Sequence, residues 1–575
     1  MHRTAGAQPL HQTRRNVSSP TPCSTDYQGS PSPQYFVGIG ITQAKEAAGG
    51  QFSAVLGGVG NEACSADSSV GGGADNVIDG GEAFIGSGYE NAVVGNGSFI
   101  GTGFLNNVSG TGSFVGGGDY EFLAYCDACS ESAPGNQVSG TDSFIGAGDV
   151  GNVSGFGSFI GAGDSLYAQY GPSASGNRIA GNDSFIGAGD LDSVPGNGSF
   201  IGAGGYTAVS NNHLTALSNT VSGTDSFLGA GDQNGVSANQ SFLGAGQSNT
   251  IASGATGSAI VGGTNNTIAS GAYSIIAGGY YNSIASGTAF VGAGGNNIAS
   301  GLNAFVGAGN GNGASANDSF VGGGDINTTS AQYASILGGM NNSIAAAATY
   351  ATIGGGENNT DSAKYASVVG GYGNAATGQY ATILGGESNT AGGFLSFAAG
   401  YHADARYPGS FVWSDYVSGS STVSDTAKNM FVARASGGVV FYSNETANSG
   451  VQLTSGSGTW SSLSDRNAKT DFAALDDDSI LAKVTALPVG AWRYKSESGV
   501  RHLGPMAQDF YAAFGVGADD RHITSIDEDG VALAAIKGLN AKVERKDREI
   551  AELRSIVFAL VKREAAVERR LEASR

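Results

Sequence analysis

The chain has 575 residues, of which 97 are Gly and only 11 Pro; 13% are charged and 40% hydrophobic. Many glycines with few prolines exclude collagen and proline-rich linkers, and the apolar share excludes a disordered tract. The net charge of −21 falls almost wholly on residues 1–460, which hold 9 Lys+Arg against 29 Asp+Glu, so this body lacks the cations that nucleic acid or an anionic membrane surface requires.

Residues 1–49 read as an irregular N-terminal segment. Arg14 and Arg15 are followed by no apolar core, so "MHRTAGAQPLHQTRRNVSSP" is not a recognisable signal peptide. No run of eighteen apolar residues occurs, and no membrane insertion is expected. The cysteines are Cys23, Cys64, Cys126 and Cys129. Cys126 and Cys129 have metal-ligand spacing, but no second CxxC completes a zinc site. A short-range disulfide and four unpaired thiols both stay open.

From residue 50 to 405 the sequence is one repeat array. Ser98 to Ser113, Ser143 to Ser158, Ser184 to Ser199 and Ser226 to Ser241 are each fifteen residues apart, and later copies drift to sixteen. Each unit reads as two short strands, "SFIG" and "NxVSG" or "NxIASG", bounded by glycines that allow positive φ. One unit has too few apolar groups for its own core. Stacked units share one, which predicts a parallel β-solenoid.

Within "SFIG" the Phe and the Ile are adjacent, so they point to opposite faces of a strand. Phe99, Phe144, Phe159, Phe185 and Phe200 form one column; Ile100, Ile145, Ile160, Ile186 and Ile201 form the other. A coil has one interior and hides one column. The other is expected as an exposed apolar stripe, covered by further copies of the chain or by other parts of the same chain.

Three insertions, at 120–135, 165–176 and 206–219, each fall after a "GxG" and before the next Asn-led strand, so they leave the coil at one corner. They carry Tyr120, Tyr125, Tyr167, Tyr170 and Tyr206, which suits them to a host receptor or a surface glycan, or to mere surface decoration. Calcium-binding nonapeptide rolls need GGxGxD at a nine-residue step, which a fifteen-residue step excludes. No metal or other cofactor is expected. The array, with "LSFAAGYHADA" at 395–405 as the best local match, resembles the head of trimeric autotransporter adhesins. That resemblance implies a left-handed parallel β-roll.

Residues 406–460 read as a β connector. The charge pattern changes after residue 460, where Lys and Arg become frequent. Residues 461–535 read as a small α+β domain. "DDDSILAKVTAL" predicts a helix with Asp476, Asp477 and Asp478 at its N-terminus, "WRYKSES" a strand, and "GPMAQDFYAAFGV" a second helix. Asp527, Glu528 and Asp529 read as a solvated turn. Residues 536–575 carry a heptad seam of Ile536, Leu539, Val543, Ile550, Leu553, Val557, Leu560, Val567 and Leu571, interrupted by Lys546 and Glu564. That pattern predicts a coiled-coil helix and so more than one chain.

"LSDRNAKTDF", "ALPVGAWRYK", "RHLGPMAQDFYAAFGVG" and "ITSIDEDGVALAAIKGL" resemble the C-terminal intramolecular chaperone domain of phage endosialidases, tail spikes and tail fibres. The resemblance implies a domain that trimerises, assists assembly of a β-rich stalk and then cuts itself off. The family's catalytic serine and lysine fall on Ser464 and Lys469. Ser464 is then the nucleophile and Lys469 the general base, a role open to a lysine only when it is neutral, which burial or a nearby positive charge favours. Arg466 either supplies that charge or pairs with Asp465. His502 and Gln508 also match family positions, and His502 reads as structural. Five residues apart is a poor spacing for contact on a helix, so a turn is expected at Ser464–Lys469.

The resulting expectation is a homotrimeric secreted or surface fibre, mainly β, whose only enzymatic step is self-cleavage. A phage or prophage tail fibre shares the same physics, and an uncleaved structural repeat protein is the third alternative. An enzyme site on the array lacks support: only His213 and His402 fall within it, far apart in sequence.

Overall fold

The computed structural model describes residues 36–37, 47–118, 135–148, 150–163, 176–204, 206–210, 213–419 and 421–575. Cys23, Cys126, Cys129, Tyr120, Tyr125, Tyr167, Tyr170 and most of residues 1–49 lie outside them. Cys64 is disulfide-bonded, which removes the reading of four unpaired thiols. The chain divides into two compact units, Met1–Arg434 and Ala435–Arg575.

The first unit is a parallel β-solenoid. Two-residue strands stack coil upon coil into two ladders, one of 24 strands and one of 23. The first, ladder A, holds the "FI" pairs: Phe99 sits beside Phe84 and Phe114, with Ile100 beside Ile85 and Val115. The second, ladder B, holds the "NV" pairs: Asn107 sits beside Ala92 and Gln137, with Val108 beside Val93 and Val138. The second residue of each pair points inward. Ile100, Ile145, Val108 and Val153 are fully buried in one aliphatic core. A coil this narrow holds two such side chains, and Ile and Val are stiff residues that suit strands.

Ladder A extends to Phe431–Arg434 and ladder B to Val423–Ser424, past residue 405 where the repeat fades in the sequence. The last steps, Phe397 to Phe411 to Phe431, are 14 and 20 residues, so periodicity is lost while the Phe column persists. The three insertions all fall between a ladder A strand and the next ladder B strand, for example between Phe114–Val115 and Gln137–Val138. In the third, Tyr206–Ser210 pairs antiparallel with His213–Leu217.

Polar side chains knit the coils together at the corners. Asn312 donates its backbone N–H to Asn297 Oδ1 at 3.0 Å, and its Nδ2 to Ala308 O at 2.9 Å and Gly324 O of the next coil at 2.8 Å. Asn327 and Asn342 repeat the pattern, each giving its N–H to the Oδ1 of the Asn one coil before. These asparagines are buried but paired at both ends of the amide, as buried polar groups require. Serines do the same at another corner: Ser98 Oγ donates to Gly110 O at 2.8 Å and accepts from Ser113 N–H at 3.0 Å. The glycine before each asparagine is forced by this packing. At Gly103, with φ of 126°, a Cβ would lie 2.4 Å from both Asn106 Nδ2 and Gly118 O.

The phenylalanines of ladder A point outward. They stack on one another, with ring centroids 4.7–5.2 Å apart from Phe84 to Phe242. Phe84, Phe227 and Phe242 are 36–42% exposed.

In the second unit, Gly438–Tyr442, Gly450–Thr454 and Trp460–Ser462 form an antiparallel sheet. Helix α1 (Asp477–Ala486) is capped by Asp476, which accepts from Ser479 N–H. A hairpin pairs Gly490–Trp492 with His502–Gly504. Helix α2 (Ala507–Phe514) ends at Gly515 in the left-handed conformation. Helix α3 (Ser525–Glu572) runs for 48 residues. Asp527, Glu528 and Asp529 form its first turns, not a loop; Thr524 caps it, and acidic side chains suit a helix N-terminus. α1 packs on α3 where Ala534, Ala535 and Gly538 are buried, and a Cβ on Gly538 would meet Asp477 O at 2.3 Å. The heptad residues from Val543 to Leu571 are exposed on α3.

Two acids break the solenoid's rules. Asp192 occupies an asparagine position: its Oδ1 accepts from Asn219 N–H and Nδ2, but its Oδ2 has no partner. Asp361 takes an inward aliphatic position between Ile344 and Ala376, and its Oδ2 is also unpaired. Burial pushes Asp192 up to about 6 and Asp361 up to about 7, from 3.8. A raised carboxyl value means the folded state binds more protons than the unfolded one. The penalty is therefore complete above about pH 7, shrinks as the pH falls through 7 and 6, and is gone below about 4. Asp192→Asn is expected to raise the local opening free energy of its coil, by on the order of 3 kcal/mol at pH 8 and by almost nothing at pH 4. Hydrogen exchange corrected for intrinsic rates reads this out; a gain equal at both pH values would contradict it.

Candidate functional site

The site lies where the antiparallel sheet of the second unit ends. Leu463 N–H still bonds to Gly450 O at 2.9 Å, so Ser464 is the first residue freed from the ladder. Asp465 then starts a short 3-10 turn, Arg466–Ala468. Its backbone is extended, and its carboxylate accepts from Asn467 N–H at 2.9 Å. This is the N-cap bond that short polar side chains make. Ala468 N–H bonds to Asp465 O and Lys469 N–H to Arg466 O, which closes the turn.

A tight turn returns the chain on itself, so a spacing unsuitable for contact on an α-helix becomes a contact here. Lys469 Nζ donates to Ser464 Oγ at 2.5 Å. The two side chains singled out in the sequence are thus brought together. Arg466 lies over the Phe472 ring, 5.6 Å from its centroid, while the Asp465 carboxylate is taken up by the cap. Phe472 closes the motif "LSDRNAKTDF", but the sequence assigned it no role. Every residue from Trp460 to Ala474 is exposed.

His502 is built into the hairpin: its ring stacks on Trp492 at 4.8 Å, and its Nε2 meets Glu497 Oε2 at 2.8 Å. Gln508 lies in the first turn of α2. Among the described residues no group of three or more His, Cys, Asp or Glu could hold a metal ion, and no helix is long and apolar enough to cross a membrane.

Residues 464–516 match the peptidase S74 family, the chaperone of endosialidase. The match opens on Ser464 itself, includes Lys469, and spans α1, the hairpin and α2. The chaperone-of-endosialidase domain is therefore the part of the chain that carries the Ser–Lys pair. A long parallel β-solenoid precedes it, outside the match. No curated protein matches the chain.

A serine hydroxyl held against a primary amine is the minimal apparatus for nucleophilic acyl transfer. The amine, when neutral, takes the hydroxyl proton, and the oxygen attacks a carbonyl carbon. Within one chain the pair is exposed. A drier surrounding has to come from something added to this turn.

Proposed function

We propose that this chain is one subunit of a homotrimeric fibre of the tail-spike or tail-fibre kind. Its chaperone-of-endosialidase domain gathers three chains and then cuts itself away beside Ser464. The 2.5 Å contact between Lys469 Nζ and Ser464 Oγ carries the reading. The family match, the solenoid before it and the exposed heptad seam of α3 support the trimer. The chaperone family's description favours a virion tail over a secreted adhesin.

In the proposed step, neutral Lys469 removes the Ser464 Oγ proton and Oγ attacks the carbonyl carbon of a peptide bond at Ser464. The C–N bond breaks, the lysine returns the proton to the leaving amine, and water then hydrolyses the ester, freeing Ser464 Oγ and a new carboxylate. Exposure of the pair in one chain explains the timing: assembly buries the turn, so cutting waits for three chains. Removal of the domain leaves the stalk trimer without the element that assembled it, so dissociation cannot easily be reversed.

Expressed full-length chain is expected to yield, on a denaturing gel, a C-terminal fragment of about 112 residues ending at Arg575. Ser464→Ala and Lys469→Met abolish it. Asp465→Ala slows it by roughly tenfold through loss of the cap, and Asp465→Ser restores most of the rate. An intact band that never ages, or a Ser464→Ala chain that is still cut, removes the self-cleavage reading and leaves an uncleaved structural protein.

A further inference from the structure

An outward position on a solenoid has no packing reason to be apolar. Ladder B shows this: from Asn107 to Thr220 its outward column reads Asn107, Gln137, Asn152, Arg178, Ser193, Thr220, and its large apolar members, such as Val77 and Ile298, are isolated. Ladder A differs along most of its length. Twelve coils from Phe84 to Phe320 present Phe outward. Each of these is followed two residues later, on the same outer face, by Gly. The ring leans over that glycine: at Gly116, Gly146 and Gly161 a Cβ would lie 3.3 Å from the Cε1 of Phe114, Phe144 and Phe159.

Where the Phe is missing, the position two residues on compensates. Ala54 is followed by Leu56, Ala259 by Val261, Ser335 by Leu337, Ser367 by Val369 and Thr382 by Leu384. Those five side chains point outward and are 50–59% exposed. Among the described coils, only those at Ser69 and Thr352 carry neither element of the pair, while Ile275 with Ala277 keeps a smaller version. Exchange of a large group between two neighbouring outward positions preserves an apolar outer surface and does nothing for the interior. That is the signature of a face that is covered.

The size of the stripe fits a protein partner. Three of the twelve rings are 36–42% exposed and nine are less so; at about 200 Å² each, and with the five half-exposed Leu and Val substitutes added, the stripe leaves on the order of 800 Å² per chain. That exceeds the 300–600 Å² typical of a monomer's largest patch and equals one side of a standard interface. The rings stack on each other, so their faces are largely taken, which disfavours a sugar that would need those faces.

Symmetry then selects the occupant. In a three-fold ring, neighbours meet through two different patches unless the patch lies on the axis. Among the described residues the other long exposed aromatic stack, Tyr333–Tyr350–Tyr365–Tyr380, lies on coils beyond Phe320, so it does not run beside the Phe column and cannot complement it along its length. Resting on the trimer proposed above, we propose that the outer face of ladder A, with its Phe column and its Leu and Val substitutes, meets the same face of two further copies on the three-fold axis, parallel and in register.

The test uses the full chain with Phe159→Cys, or with Asn152→Cys on ladder B, under mild oxidation. Mass is measured by light scattering, and inter-chain disulfides on non-reducing gels against the unsubstituted chain. Phe159→Cys is expected to give covalent dimers containing about two thirds of the chains, since three thiols at an axis form one bond, while Asn152→Cys gives none. A trimer that crosslinks through Asn152→Cys, or not at all through Phe159→Cys, overturns the face assignment and leaves the trimer standing. A monomer by light scattering overturns both. Phe159→Ser with Gly161→Leu moves the apolar group by two residues, as the natural coils do, and is expected to keep the trimer; Phe159→Asp with Phe185→Asp is expected to dissociate the solenoid portion.

Discussion

The structure depends on one constraint: each coil must satisfy the coil next to it at the same height around the whole turn. The buried asparagine ladder imposes it. Each side-chain amide accepts from the asparagine one coil on and donates both to a carbonyl four residues back and to a glycine carbonyl one coil on. An amide buried this way is costly if any partner is missing, so coil length, the positive-φ glycine and the strand register are specified together. The aliphatic core then needs only two side chains per coil. Insertions are accepted at the corner after ladder A because they leave both ladders unbroken on either side.

The same regularity creates an assembly problem. A slip by one coil replaces Asn by Asn, Ile by Ile and Phe by Phe, so the contacts distinguish poorly between neighbouring registers. Parallel, non-local pairing is also slow to form. The interruptions give the stack its individuality: Asp192 in the amide ladder, Asp361 in the core, and the Ser and Thr coils among the Phe coils. A terminal domain with ordinary mixed composition is a different kind of object. α1 and α3 pack through Gly538, and the Trp492–His502 hairpin has a single pairing. That combination suits a register-setting element at the end of a repetitive stack.

At the site, chain geometry and environment separate. The sheet's last bond at Leu463, the Asp465 cap and the 3-10 turn place the lysine amine against the serine hydroxyl with no help from distant residues. The surroundings of that pair are water. Local sequence thus builds the contact, whereas any burial of the pair has to be supplied from outside the turn. Placing this Ser–Lys pair on an exposed turn at the edge of a sheet is compatible with the proposed reaction depending on what covers the turn.

Much of this was legible from the residues alone. The fifteen-residue step, the Gly punctuation and the paired apolar columns determined a parallel β-solenoid, because so small a unit has no other way to share a core. The motif around Ser464 marked the stretch that matches the chaperone family, whereas the composition break near residue 460 falls inside the unit Ala435–Arg575. Other features were decided by tertiary structure. Alternation says that Phe and Ile part company but not which enters a narrow coil; the packing put the β-branched aliphatics inside and the rings out. The asparagines recur visibly in sequence, yet their role as a continuous buried ladder exists only once the coils are stacked. The solenoid's continuation to Arg434 was hidden because its last steps lose the period while keeping the pairing. Asp527–Asp529 looked like a loop because acids are at home in both settings, and only the Thr524 cap and the packing of α1 on α3 made them the start of a 48-residue helix.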